Sequence, residues 1–135
     1  MQITKKKADR NIRQKSEFDS KENNRRYQSI VDDIPDGYCE MDLTGRVLLV
    51  NDVLCQWLQY SREELIGMDF HRLHTPPSAV RAEAACKEIF RDGKPMKSLE
   101  LNLLTRDATV VSVEASVSLI KGKEDRPIGF RCITR

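Results

Sequence analysis

The order of the predicted elements indicates an α+β fold, with an antiparallel sheet and helices on one of its faces. Hydrophobic periodicity and turn-forming residues predict a helix, two strands, several short helices and then three strands. Two groups of consecutive strands that flank a helical insert are typical of an antiparallel sheet. Strands and helices do not alternate, as a mostly parallel sheet would require. The 135 residues suffice for one such domain and an additional segment.

The charge distribution separates a basic leader from an acidic body. Residues 1–26 contain nine Lys or Arg residues and four acidic residues, which leaves 14 basic and 17 acidic residues in the rest of the chain. We therefore divide the chain into a basic, partly helical leader (residues 1–25) and one domain (residues 26–135). A basic tail can contact nucleic acid or anionic lipid, although chain termini are usually frayed and solvated.

Hydropathy and cysteine spacing predict a cytoplasmic chain. No apolar run has the roughly 18 residues needed to span a membrane. The first 16 residues lack the apolar region of a secretory signal. The four cysteines form no C-x-x-C pair, so we expect buried thiols rather than disulfides, a metal site or a c-type haem attachment. They are Cys39, Cys55, Cys86 and Cys132.

The first predicted helix runs from about residue 19 to 34, where Pro35 ends it. Its apolar residues follow the spacing i, i+3, i+4 and i+7. They are Tyr27, Ile30, Val31 and Ile34. This stripe must be buried against the domain, against a second copy of the chain, or against both.

The middle of the chain predicts a hairpin and a series of short helices. Strands at residues 38–42 and 47–50 enclose a turn at residues 43–45. Asn51 is the predicted N-cap of a helix at residues 52–58. Ser61 and Glu64 form a capping box, and Gly67 ends that turn. A longer helix at residues 78–91 stops at Gly93, and strands follow at residues 98–105, 109–120 and 127–134.

Four segments resemble the PAS family. They are residues 36–51 (DGYCEMDLTGRVLLVN), 60–67 (YSREELIG), 91–93 (RDG) and 128–131 (IGFR). The resemblance implies the PAS (profilin-like) fold, a five-stranded antiparallel sheet in the order 2-1-5-4-3 with helices around a small pocket. Relatives often have Gly where this chain has Ala108, so we expect another turn form there, because Ala tolerates positive φ poorly.

PAS domains implied by this resemblance act as sensors in histidine kinases, diguanylate cyclases or transcription regulators, and pair through an N-terminal helix. We therefore expect a sensory module that binds a small ligand, forms a homodimer through the Tyr27–Ile34 stripe, or does both. Its partner would be a kinase, cyclase or regulator output domain. Relatives continue into an Asp-Ile-Thr motif and an output helix, so we expect either a fragment of a larger receptor or a freestanding PAS protein. An adaptor that binds proteins without any ligand is the alternative.

Alternation along the first strand gives a predicted pocket wall. Cys39 and Met41 point inward if Glu40 stays in water, which avoids the cost of burying a charge. The other predicted wall residues come from the helices and the third strand. The full set is Cys39, Met41, Val50, Leu54, Leu58, Phe70, Leu73, His74, Ala85 and Leu101. This lining favours a small apolar or planar ligand, or a core that is filled without one.

His71 and His74 are the residues on which a cofactor would depend. On a helix they would share a face, and an axial haem ligand from either would make the chain a gas or redox sensor. We predict instead that one histidine is exposed and the other lines the core, with no metal site. Flavin is not expected, because light-sensing PAS relatives have Asn-Cys-Arg-Phe-Leu-Gln where this chain has residues 71–76 (HRLHTP).

No motif in the sequence predicts catalysis. None of the six glycines forms a G-x-G pair, and no Gly-Lys-Ser or Gly-Lys-Thr occurs, so a phosphate-binding loop is missing. The Ser, His and Asp residues have no spacing that indicates a triad. We therefore expect a signalling module that is not an enzyme, does not insert into membranes and has no nucleic-acid partner.

Overall fold

The computed structural model describes residues 21–135. These residues divide into two compact units: the first includes residues 21–33, and the second is Ile34–Arg135. In the first unit, residues 21–32 form helix α1. Ile30 on this helix is 64% exposed and Tyr27 is also exposed, whereas Val31 is buried. Most of the predicted leader, and the predicted helix start near residue 19, lie outside the described residues.

The second unit contains a five-stranded antiparallel sheet in the order β2-β1-β5-β4-β3, which confirms the predicted fold class. The strands are β1 (Gly37–Asp42), β2 (Val47–Val50), β3 (Met96–Leu104), β4 (Val110–Lys121) and β5 (Pro127–Thr134). Between β2 and β3 lie α2 (Asp52–Leu58), α3 (Arg62–Leu65), a 3₁₀ helix (Phe70–Leu73) and α4 (Pro76–Asp92). A second 3₁₀ helix (Lys123–Asp125) lies in the β4–β5 turn.

The hydrophobic core lies between these helices and one face of the sheet. Inward residues alternate along the strands, at Leu101 and Leu103 on β3 and at Val113, Ala115 and Val117 on β4. The helices contribute Leu54, Leu58, Leu65, Leu73, Ala82 and Ile89. Burial of these side chains supplies most of the free energy that stabilises the sheet against the helices.

The Asn51 side chain forms hydrogen bonds to residues 34–36, to β1 and to α2. The bond to α2 confirms its predicted role as N-cap. Its side chain is fully buried. Oδ1 accepts hydrogen bonds from the Leu54 N–H at 3.1 Å and the Tyr38 N–H at 3.0 Å. Nδ2 donates to the carbonyls of Asp36 at 2.8 Å and Ile34 at 3.3 Å. The amide oxygen and the amide nitrogen therefore both have hydrogen-bond partners, which offset the cost of removing this polar side chain from water.

The capping signals at Ser61 and Gly93 are confirmed, but three helix ends are shifted: α1 ends at residue 32 rather than 34, Ile66 rather than Gly67 is the C-cap of α3, and α4 starts early. Ser61 and Glu64 form the predicted capping box, with Ser61 Oγ accepting from the Glu64 N–H at 3.2 Å. Gly93 ends α4 in the left-handed conformation. However, α4 begins at Pro76 rather than at residue 78, because Thr75 caps it and Pro is compatible with the first helical turn.

The prediction that Ala108 would force another turn form is wrong. Ala108 adopts a φ of 64°, in the left-handed region where Gly is favoured. The turn is held by hydrogen bonds from the Ala108 N–H to the Thr105 carbonyl at 2.9 Å and from the Thr109 N–H to Thr105 Oγ1 at 3.1 Å. These bonds offset the strain at Ala108.

Candidate functional site

A small space, the inner cavity, lies between the sheet and the helices and has a volume of about 70 Å³. Its wall is almost entirely apolar or sulfur-containing. The residues that line it are Cys39, Met41, Val47, Leu54, Leu58, Phe70, Leu73, His74, Ala82, Cys86, Leu99, Leu101, Leu103, Val117, Cys132 and Thr134. A space of this size holds at most a few heavy atoms.

The structure brings most of the predicted wall residues together at this cavity. Those that line it are Cys39, Met41, Leu54, Leu58, Phe70, Leu73, His74 and Leu101. Val50 and Ala85 are buried but do not line it. On α4, Ala82 and Cys86 face the cavity, four residues apart, and Ala85 lies beside this row. The apolar face at Ala82 and Cys86 and the alternation at Leu103 and Val117 were readable in the sequence.

His74 is the most polar group in the wall, and its environment keeps it neutral. Its Nδ1 lies 2.9 Å from Ser78 Oγ, which also accepts a hydrogen bond from the Asn102 N–H at 2.9 Å. Burial, with smaller effects from the charges of His71 and Arg81, lowers the pKa of His74 to about 4. The cavity therefore contains no charge from this residue at neutral pH.

The cavity thiols are also neutral. Cys39 and Cys132 are directly opposite each other on β1 and β5, and Cys86 faces the cavity from α4. Burial raises the pKa of Cys39, that of Cys132 to about 12 and that of Cys86 to about 11. Thiols of this kind act as small hydrophobic groups, not as nucleophiles. An uncharged ligand is the only kind that this wall suits.

A second, open space lies on the outer side of Phe70, and we call it the outer cleft. Its volume is about 350 Å³. It is lined by Met41, Leu43, Thr44, Gly45, Phe70, His71, Glu83, Cys86, Lys87, Phe90 and Phe130. Met41, Phe70 and Cys86 border both spaces and form the wall between them. The sequence prediction did not include this cleft.

His71 lies in the outer cleft, where two carboxylates surround it. Its Nδ1 is 2.6 Å from Asp69 Oδ1, and its Nε2 is 3.4 Å from Glu83 Oε2. The hydrogen bond to Asp69, followed by that to Glu83, raises the pKa of His71. Only the imidazolium donates from both nitrogens, so both contacts form together when His71 is protonated. One histidine is thus exposed and the other buried, as predicted.

Glu40 departs from the prediction that it would stay in water. Its side chain is only 13% exposed. It accepts a hydrogen bond of 2.5 Å from the Tyr38 hydroxyl, and Arg131 Nε lies 4.0 Å from its carboxylate. Arg131 Nε also donates to the Tyr38 hydroxyl oxygen at 2.6 Å. These partners compensate for desolvation of the carboxylate, which alternation alone does not reveal.

Neither a metal nor a haem is supported by this geometry. Among residues 21–135, no group of three or more His, Cys, Asp or Glu side chains is arranged to hold a metal ion. The inner cavity next to His74 is several times smaller than the roughly 300–1,000 Å³ of pockets for drug-sized ligands. Its residues therefore do not fit a haem or a flavin. Within the same residues, no helix has the length and apolar character needed to cross a membrane.

A five-stranded antiparallel sheet with short helices around a central cavity defines the PAS class of domains. The sequence matches the family model described as PAS fold over residues 25–135, so the chain belongs to the PAS family. The fold is shared with the PAS domain of a protein from Colwellia psychrerythraea, with a TM-score of 0.74 and 21% identity over 82% of this chain and 93% of that chain.

Two relatives come from signalling proteins. The chain is 30% identical over 86 residues to the probable diguanylate cyclase DgcE of Escherichia coli (strain K12), a match that covers 64% of this chain and 8% of that protein. It is also similar to a domain of a sensory box sensor histidine kinase/response regulator from Geobacter sulfurreducens. That match has a TM-score of 0.65 and 26% identity over 82% of this chain and 92% of the other. The chain is thus a PAS domain related to those of sensor and cyclase proteins.

Proposed function

We propose that this chain is a sensory module of a bacterial signal-transduction protein, located in the cytoplasm and without catalytic activity of its own. Residues 26–135 would sense the signal, and residues 1–25 would act as a leader. The output partner would be a kinase, a cyclase or a regulator domain. The similarity to segments of a diguanylate cyclase and a sensor histidine kinase supports this role.

The observation that carries the proposal is the uncharged inner cavity inside a PAS fold. Its volume of about 70 Å³ and its wall of aliphatic, aromatic and sulfur groups favour a neutral, apolar ligand with a few heavy atoms. Leu54 and Leu58 connect the cavity to α2, and Asn51 connects α2 to residues 34–36. A ligand that displaces α2 would therefore act on the segment that leads to α1.

Native mass spectrometry of protein purified from cells tests ligand binding, with an absorption spectrum of the same sample. We expect a small non-covalent mass and no Soret band. In Ala82→Leu, the added side chain fills the cavity and should abolish the added mass. Ala79→Leu is the matched control, because Ala79 is a buried alanine of α4 that does not line the cavity. Retention of the mass in Ala82→Leu, at equal folding by circular dichroism, would show that the cavity is not the binding site.

We also propose that the module forms a homodimer through α1. Ile30 and Tyr27 are apolar or aromatic side chains exposed on this helix, which supports an interface that buries them. Ile34, the last residue of the predicted stripe, is half-buried. In the dimer, a change at residues 34–36 would pass along two neighbouring helices to the output domain.

Light scattering with size-exclusion chromatography tests this interface. We expect a dimer for the wild type and a monomer for Ile30→Glu, because a buried carboxylate without a partner opposes association. Ser29→Glu places the same charge at the neighbouring exposed position of α1 and should leave the dimer intact. A monomeric wild type, or equal effects of the two variants, would contradict the proposed interface.

A further inference from the structure

The outer cleft has the size and the walls of a ligand site separate from the inner cavity. Its volume of about 350 Å³ lies within the range of pockets for small molecules. Three of the four phenylalanines of the chain line it: Phe70, Phe90 and Phe130. Phe70 and Phe130 are buried in its floor, whereas two other apolar lining residues, Phe90 and Leu43, are 51% and 44% exposed and form its rim. These rings favour a flat, apolar body.

The Phe70 ring in the floor of the cleft is closely packed on two sides. A Cβ atom on Gly45 would lie 2.5 Å from the Phe70 ring, so the β1–β2 turn presses its backbone against that ring. The His71 ring packs near Phe70 as well, with ring centroids 4.2 Å apart. Because Phe70 is buried and packed against these neighbours, a ligand would meet a preformed surface and lose little binding free energy to ordering it.

At one edge of the cleft, a hydrogen-bond acceptor (the Glu83 carboxylate) lies beside a hydrogen-bond donor (the Lys87 ammonium group). Glu83 and Lys87 lie one helical turn apart on α4, with Lys87 Nζ 3.6 Å from Glu83 Oε1. Both side chains are accessible to solvent and both line the cleft. The carboxylate accepts hydrogen bonds only, and the ammonium group donates them only. A ligand that matches this edge therefore carries an N–H group next to a carbonyl.

We propose that the outer cleft is a second ligand-binding site, for a planar bicyclic heterocycle with a lactam edge, of the purine or pteridine class. The rings stack on Phe90 above the floor formed by Phe70 and Phe130. The lactam N–H donates to Glu83, and the lactam carbonyl accepts from Lys87. His71 holds the other oxygen of Glu83 and so orients the carboxylate. The site does not depend on occupation of the inner cavity.

The test uses the full chain and lumazine, a fluorescent pteridine with lactam edges, followed by fluorescence titration. We expect saturable binding, with dimethylated lumazine, whose lactam N–H groups are blocked, binding about tenfold more weakly. Phe90→Ala should weaken lumazine binding about threefold to tenfold through loss of stacking. Lys87→Met should weaken it about tenfold through loss of the charged donor.

Val80→Ala is the matched control, because Val80 is an exposed apolar residue of α4, 68% accessible, that does not line the cleft. It should bind lumazine like the wild type. Methyl NMR spectra distinguish the two spaces: signals of Leu43 should shift on titration, whereas those of Leu54 and Leu58 should not. No saturable binding, equal affinity for both forms of lumazine, or shifts confined to Leu54 and Leu58 would each overturn the proposal. Shifts confined to Leu54 and Leu58 would place lumazine at the inner cavity instead, whereas the absence of lumazine binding would leave the proposed ligand of that cavity unaffected.

Discussion

The inner cavity and the outer cleft are separated only by Met41, Phe70 and Cys86, yet their physical chemistry is opposite. The cavity is small and its wall is almost entirely apolar, and burial keeps His74 neutral. The cleft is open, and hydrogen bonds to Asp69 and Glu83 favour the charged form of His71. Two histidines three residues apart thus acquire opposite charge preferences. Burial in one case and carboxylate partners in the other set the charge that each histidine prefers.

The largest difference between the two regions should appear in stability. Leu58→Ala removes a fully buried cavity-wall side chain, and we expect it to lower the free energy of unfolding by about 3–5 kcal/mol. Phe90→Ala removes a larger but half-exposed ring at the cleft rim, and should cost less than about 1.5 kcal/mol. Urea unfolding measures both. Equal losses would mean that the cleft rim contributes to the core.

The two histidines should give stability opposite dependences on pH. The folded-state pKa of His74, about 4, lies below its ordinary value of 6.5, so unfolding takes up a proton in that interval. The contribution of His74 is therefore complete above pH 6.5 and is lost as the pH falls toward 4, by about 2–3 kcal/mol. For His71, whose pKa is raised, the contribution is present below pH 6.5 and is lost as the pH rises through the folded-state value.

Urea unfolding of the wild type and of His74→Asn across pH 4–7 isolates this effect, because the carboxylates titrate in both proteins. The difference in unfolding free energy between the two should change steeply between pH 6.5 and 4. His71→Asn serves as the comparison and should not reproduce that change. A difference that is constant with pH would contradict a neutral, buried His74.

The reactivity of the thiols gives a smaller difference between the inner cavity and the outer cleft. Cys86 borders both spaces and has a pKa of about 11, whereas Cys132 borders only the cavity and has a pKa of about 12. One pKa unit is about a tenfold difference in the thiolate fraction. The thiolate with the lower pKa is also the weaker nucleophile, so we expect iodoacetamide to alkylate Cys86 only about threefold faster than Cys132 in the folded protein. Peptide mass spectrometry over time measures both rates, and faster labelling of Cys132 would contradict the assignment of Cys86 to the wall.

The sequence predicted the fold and most of the cavity wall because both depend on periodicity. Alternation on β1 placed Cys39 and Met41 inward, and capping residues such as Asn51 and Ser61 located the helix starts. These signals are local, since each is set by neighbours within a few positions. Their success reflects consistency between local preference and the final structure.

The outer cleft could not be predicted in this way, because its walls come from five separate parts of the chain: β1, the β1–β2 turn, the Phe70–Leu73 helix, α4 and β5. No local pattern indicates that Leu43 and Phe90 lie on the same rim. The burial of Glu40 depends on Arg131, about 90 residues away in sequence. The turn form at Ala108 was wrongly predicted for a related reason. Hydrogen bonds within the turn compensate for a positive φ value that the Ala side chain disfavours.

The smallest expected effect concerns the charge on His71, and it tests whether the cleft edge is assembled as described. Asp69→Asn removes the strongest partner and should lower the pKa of His71 most, and Glu83→Gln should lower it less. Glu88→Gln removes a carboxylate of the same helix that does not line the cleft, and should leave the pKa of His71 unchanged. Titration of the imidazole proton signals by NMR measures each value. If Glu83→Gln left the pKa of His71 unchanged, His71 would not hold Glu83, and the carboxylate that the proposed heterocycle requires would not be oriented.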